Sequence, residues 1–250
     1  MKTAHYFLVG FTAVLLLALP ITANNPETAV AQINDFPPVA YLPIIVSGDP
    51  TIGPVHNGIA TYYAATGEGN CLFPASPENL MVAAMNDVDY GNADLCGAYI
   101  RVDGRKGSVV VRIVDRCPEC TQGHVDMSPQ AFALIDDLPL GRVPISWQIV
   151  SPPLTGPIVY HFKDGSNQWW TAVQIRNHRN PIAKLEVQLP NGSFQAVPRE
   201  LWNYFVKTDG LGPGPYTFRV TDILGNALID HNIPHLENGS VSGSSQFPPP

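Results

Sequence analysis

Two aspartates eleven positions apart, Asp115 and Asp126, stand in the segments Val114-Asp115-Arg116-Cys117-Pro118-Glu119-Cys120 and Val125-Asp126-Met127-Ser128-Pro129-Gln130. Two carboxylates on one rigid frame are the equipment of glycosidic-bond hydrolysis, which uses one protonated acid and one ionised partner at a set separation. The frame can be read from the neighbours. Asp115 closes the apolar run 109–114, and Asp126 precedes a helix start in which Ser128 is the N-cap and Pro129 the first helical residue. The two acids can therefore converge. Plainer uses exist for both: a negative charge beside a helix N-terminus gains from the dipole, and an aspartate at a strand end often only satisfies loop amides.

Four cysteines, Cys71, Cys96, Cys117 and Cys120, fall within residues 71–120. The chain opens with Lys2, an apolar run over 6–19 and the small-residue site Ile21-Thr22-Ala23, the layout of a secretory signal peptide, so residues 1–23 are expected to be removed on export. The run is short of the ~20 apolar residues of a spanning helix, and no membrane association is expected after cleavage. Export permits disulfides. Zinc fits poorly, because only Cys117 and Cys120 have ligand spacing, and no βαβ pattern surrounds them to make a redox motif. Two bridges are expected, most simply Cys71 with Cys96 and Cys117 with Cys120, although three connectivities are open to the sequence. No metal and no cofactor is implied. His56, His124, His161, His178, His231 and His235 show no ligand pairing and read as structural or solvated.

The elements that must position these groups are short and mostly extended. Residues 24–56, with prolines at 26, 37, 38, 43, 50 and 54, read as a disordered spacer. A first domain over 57–150 alternates β-like runs at 59–63, 98–102, 108–114 and 145–150 with two short helices, opened by Ser76-Pro77 and Ser128-Pro129. The proline-rich linker 151–157 is too short for a tether and holds two domains close. The second domain, 158–236, alternates at period two in Leu185, Val187, Leu189 and in Tyr216, Phe218, Val220, with turn signals at Asn191-Gly192 and Gly225-Asn226, as an antiparallel sandwich does. The tail 237–250, rich in Ser and Gly and ending in prolines, reads as disordered.

Charge is divided unevenly: residues 57–150 hold 11 Asp and Glu against 6 Lys and Arg, and residues 157–236 hold 6 against 7. No basic stripe could neutralise phosphates, which excludes nucleic acid as a partner.

The chain resembles bacterial expansins over nearly all of 57–236. In the first domain the motifs are Gly58-Ile59-Ala60-Thr61-Tyr62-Tyr63, Val114-Asp115 with Pro118-Glu119, and Val125-Asp126-Met127-Ser128-Pro129-Gln130-Ala131-Phe132. In the second they are Lys163-Asp164-Gly165-Ser166, Trp169-Trp170-Thr171-Ala172-Val173-Gln174-Ile175-Arg176-Asn177-His178 and Asn203-Tyr204-Phe205-Val206. The resemblance implies a mainly β protein, a six-stranded double-psi β-barrel followed by an immunoglobulin-like β-sandwich. It assigns activity on the barrel to Thr61, Asp115 and chiefly Asp126, and cellulose binding on the sandwich to Trp169, Trp170, Trp202 and the nearby Lys163. Adjacent residues of a strand face opposite sides, so Trp169 and Trp170 share a surface only if they start in a loop or bulge. Trp147 is expected in the core. Bacterial relatives often carry tyrosine where this chain has Cys117; the Cys117 and Cys120 pair is closer to fungal and plant relatives, whose disulfides brace this loop.

The barrel is also similar to inverting endoglucanases, where Asp126 would be the general acid and the base would lie just past Thr61. Here that stretch is Tyr62-Tyr63-Ala64-Ala65, and Glu68 follows in a glycine-flanked turn. The resemblance thus implies a secreted, extracellular, monomeric, non-enzymatic protein that binds cellulose and matrix glucans such as xyloglucan and mixed-linkage glucan and loosens plant cell walls without hydrolysis. The alternative is a glycan-cleaving enzyme, a lytic transglycosylase or endoglucanase, using Asp126 as acid and base, with peptidoglycan among its substrates.

Overall fold

The computed structural model describes residues 48–250; the expected signal peptide and the spacer as far as residue 47 lie outside the described residues. Six strands, β1 (Thr51–Tyr62), β2 (Val82–Asn86), β3 (Tyr99–Asp103), β4 (Ser108–Cys117), β5 (Val125–Met127) and β6 (Val143–Val150), close a barrel in the order β1-β5-β2-β4-β3-β6. β1 runs parallel to β5 and β2 parallel to β4; the other pairs are antiparallel. The strand over 51–56 corrects the spacer expected over 24–56. His56 and Asn57 pair with Trp147 and Ser146, and the His56 ring stacks on Trp147 at 4.0 Å, so β6 captures a proline-flanked segment whose composition alone reads as loop.

Of the two helices expected, one forms. Ser128 Oγ accepts the Ala131 N–H at 3.0 Å and caps α2 (Pro129–Ile135), whose Phe132 and Ile135 enter the barrel core. At Ser76-Pro77 there is only a turn: Ser76 Oγ donates to the Asn79 carbonyl at 2.9 Å, and β2 begins at Val82, too soon for a helix. The other helix is α1 (Asp87–Tyr90), capped by Asn86 through the Asp89 N–H.

The remaining strands are β7 (Val159–Phe162), β8 (Thr171–Arg176), β9 (Ile182–Gln188), β10 (Phe194–Val197), β11 (Phe205–Lys207), β12 (Tyr216–Asp222), β13 (Ala227–Ile233) and β14 (Ser240–Ser242). They form two four-stranded sheets, β10-β9-β12-β13 and β11-β8-β7-β14, around a core that includes Tyr160, Phe162, Phe218 and Phe247. The expected disordered tail is thereby corrected. β14 pairs with β7, and Phe247 is only 2% exposed, because two apolar residues in a polar segment suffice to dock it.

The linker is anchored. Ser151 Oγ donates to Asn180 Oδ1 at 2.6 Å, and Arg179 donates to Ser151 Oγ at 2.8 Å and to its carbonyl at 2.7 Å. Across the junction, Gln174 Nε2 donates to the Cys71 carbonyl at 2.8 Å and Asn92 Nδ2 to the Arg199 carbonyl at 2.8 Å. Cys71 bridges to Cys96 and Cys117 to Cys120.

Candidate functional site

Register places the three barrel candidates in one row. Asp126 on β5 faces Thr61 on β1 and Ala84 on β2, and Ala84 faces Asp115 on β4. The row therefore runs Asp115, Ala84, Asp126, Thr61 over four neighbouring strands. Two strand spacings of ~4.8 Å separate the aspartate backbones by about 10 Å. β4 departs from alternation at this point: Ile113 and Val114 are both buried, and the register with β2 skips Val114. Such a bulge re-aims the residue that follows it, and here that residue is Asp115.

Asp115 and Asp126 have different surroundings. Asp115 Oδ1 accepts the Asn70 N–H at 2.6 Å and the Arg116 N–H at 2.8 Å, so that oxygen is committed to the backbone. Gly69 lies against it: a Cβ at Gly69 would stand 2.4 Å from Asp115 Cβ and Cγ. Asp126 is half-buried, and its Oδ1 accepts the Thr61 hydroxyl. Burial pushes its carboxyl above the ordinary carboxylate range, against the Thr61 hydrogen bond and His124, with Glu119 and Asp115 raising it further.

The sequence assigns no functional role to three neighbours. His124, 5% exposed, places Nε2 2.8 Å from Thr61 Oγ1, and burial holds its pKa below the usual histidine value. It lies two residues before Asp126 and so on the same side of the strand, a spacing that could have revealed it. Tyr63 shares Thr61's side of the chain by the same rule, while Tyr62 packs edge-on against Phe132 of α2 at 5.0 Å. The Tyr63 hydroxyl is buried without a hydrogen-bond partner among the described residues, and burial, then the charges of Asp115 and Asp126, push its pKa up. Glu119 is exposed in the turn bridged by Cys117 and Cys120. Glu68 is exposed in its loop, with only a 3.5 Å contact from Thr66 Oγ1 to its carboxylate.

The tryptophan pair is resolved by a turn. Asn167 Oδ1 accepts the Trp169 N–H at 2.9 Å and the Trp170 N–H at 3.1 Å, and the Asn167 N–H donates to the Trp170 carbonyl at 2.8 Å. Both indoles therefore precede β8, free of strand alternation. Trp169 is 72% exposed. Trp170 and Trp202 are half-buried and pack on one cluster, Ala172, Tyr204 and Val206. The Lys163 N–H donates to the Ala172 carbonyl at 3.0 Å, which sets Lys163 beside that cluster. An exposed indole offers a flat apolar face, suited to the C–H face of a sugar ring.

One residue joins the two regions. Asn70, whose N–H holds Asp115, donates from Nδ2 to the Leu201 carbonyl at 2.8 Å and to the Tyr90 hydroxyl at 2.9 Å. Tyr90 also donates to the Leu201 carbonyl at 2.7 Å. Trp202 is the next residue.

Comparison with known proteins places these features in context. A family model described as lytic transglycolase, a double-psi β-barrel, matches residues 55–147. Expansin-YoaJ of Bacillus subtilis is 38% identical over 205 residues, covering 78% of this chain and 87% of that protein. The crystal structure of the Clavibacter michiganensis expansin aligns with a TM-score of 0.72 at 31% identity, covering 78% of this chain and 99% of that one. A variant of the same expansin in complex with cellohexaose aligns at 0.73, again at 31% identity and with the same coverage.

Proposed function

The chain belongs to the bacterial expansin family, and from that premise we propose that it is an extracellular protein that binds cellulose and other wall glucans and loosens their network without hydrolysis. The observation that carries this reading is the inequality of the two aspartates. Inverting hydrolysis needs a second free carboxylate across the scissile bond from the acid, whereas Asp115 spends an oxygen on the backbone N–H groups of Asn70 and Arg116 and the stretch past Thr61 holds Tyr62 and Tyr63. Asp126 then serves as an acceptor for polymer hydroxyls. The Trp169 to Trp170 turn and Trp202 serve as the stacking surface for cellulose, with Lys163 beside them. The relative solved with cellohexaose supports a glucan as the ligand. Xyloglucan and mixed-linkage glucan are the matrix partners proposed.

A second reading has its own support. The raised carboxyl of Asp126, with Glu119 near enough to act on it, and the family model described as lytic transglycolase fit a glycan-cleaving enzyme with Asp126 as acid and base. One experiment separates the two: release of soluble sugar from cellulose, mixed-linkage glucan, xyloglucan and peptidoglycan, beside creep of a clamped wall strip in the same buffer. Creep without release, abolished in Asp126→Asn while cellulose binding persists, is expected. Trp169→Ala should lose cellulose binding with its melting point unchanged. Sugar release that vanishes in Asp126→Asn or Glu119→Gln would make the protein an enzyme.

A further inference from the structure

The Thr61 hydroxyl lies between two partners and has one proton to give. It hydrogen-bonds Asp126 Oδ1, and its oxygen is 2.8 Å from His124 Nε2. An ionised carboxylate only accepts hydrogen bonds, so the Thr61 proton belongs to Asp126. The Thr61 oxygen is then left to accept, and His124 Nε2 must carry a hydrogen. We propose that His124 is a positioning residue: by donating from Nε2 it fixes the Thr61 hydroxyl proton on Asp126 Oδ1, leaving Asp126 Oδ2 to a hydroxyl of the bound polysaccharide. The last clause rests on the glucan-binding reading above; the order of the three groups does not.

The surroundings are built to hold the imidazole in place. The His124 N–H donates to the Thr121 carbonyl at 3.0 Å, and its own carbonyl accepts Asn86 Nδ2 at 3.1 Å. The preceding Gly123 carbonyl accepts the Trp147 indole N–H at 3.1 Å. The turn that leads to Thr121 is closed by the Cys117 to Cys120 bridge. Asp126, Arg142 and Glu119 are the charged groups acting on His124; Glu119, Asp115 and His124 act on Asp126, whose charge in turn reaches Tyr63. His124 acts on Asp126 by its charge, and the hydrogen bonds through Thr61 add the placement of a proton to that effect. The opposite tautomer would draw the Thr61 proton away and strip Oδ1 of its donor.

The test uses the full-length protein with His124→Phe, which keeps a ring of similar size without a donor, and His124→Gln, which restores an amide N–H. Nitrogen shifts of His124 in the parent protein should report the Nε2–H tautomer, and the Nδ1–H tautomer would overturn the proposal. The carboxyl-carbon titration of Asp126 should move up by about one pH unit in His124→Phe, the scale of one hydrogen bond to a charged group, and return most of the way in His124→Gln. A folded His124→Phe with the parent midpoint would overturn it. Where that variant does not fold, Thr61→Val must raise the Asp126 midpoint, and an unchanged midpoint there overturns it equally. The pH profile of wall creep should follow the midpoint. A midpoint that moves while creep and glucan binding stay unaffected would fault the glucan reading and leave the His124 assignment standing.

Discussion

At the residue scale, Asp126 is held against its own preference for water. Its carboxyl titrates above the value of 3.8 that it has in an exposed setting, with burial as the main cause. The sign follows from linkage: the folded state keeps the proton to higher pH than the unfolded chain, so this residue costs stability as pH rises above 3.8. Asp126→Asn keeps an acceptor for Thr61 and removes the charge. It should therefore be more stable than the parent at pH 7, with the gain vanishing below the unfolded pKa in acid. Urea unfolding at the two pH values checks this, and a variant less stable at pH 7 would sink it. A carboxylate held at a cost in stability is what the proposed role of Asp126 leads one to expect. Asp126 and its helix cap could be read from sequence because proline and serine write their positions locally. His124 escaped because a histidine without a metal-like partner reads as filler, and only the β1 to β5 register brings Thr61 between it and Asp126.

At the element scale, β4 and the loop over 69–71 act together. The bulge at Val114 turns Asp115 toward the loop, and Asp115 Oδ1 takes two backbone N–H groups. Asp115→Ala leaves both amides without that acceptor and should cost about 2–4 kcal/mol in urea unfolding. Asp115→Asn, which retains an amide oxygen, should cost under about 1 kcal/mol. Equal losses would show that the charge, and not the acceptor, holds the loop. Strand existence was legible wherever apolar residues alternate, as in Tyr216, Phe218 and Val220 of β12. The bulge was not, because Ile113 and Val114 are both apolar and the sequence marks no skipped partner. The Trp169 and Trp170 turn was legible only as an objection to a flat strand; its solution lies in Asn167, whose side chain closes the turn. The strand at 51–56 and the strand β14 were lost for one reason: proline, serine and glycine dominate local propensity, while docking of β1 on β6 and of Phe247 in the core is tertiary.

At the scale of the whole molecule, the junction between barrel and sandwich contains a titratable group. His178 is fully buried, donates from Nδ1 to the Asn180 carbonyl at 2.8 Å and lies against Gly97 of the barrel. Burial depresses its pKa to about 4, from 6.5. The unfolded chain therefore binds a proton that the folded chain refuses, and stability present above pH 6.5 is lost as the pH falls toward 4, at up to about 1.4 kcal/mol per pH unit. His161, also depressed to about 4 by burial, adds to the same slope. His178→Asn keeps a donor for Asn180 and cannot titrate, so its unfolding free energy should fall less between pH 7.5 and pH 5 than that of the parent. An identical fall in both would refute the assignment.

The register of β7 and β8 adds a mechanical consequence. Val159, where the chain enters from the linker, pairs with Arg176 at the far end of β8, whereas Phe162 pairs with Val173 near the tryptophan turn. If one polymer is gripped at the barrel and another at the tryptophans, tension enters this hairpin at opposite ends and runs along the strands. The ladder bonds are then loaded together in shear instead of being peeled singly. Ser151, fastened by Arg179 and Asn180, passes that load on without acting as a hinge. Under the function proposed, this hairpin would carry force between two polymers as a rivet does.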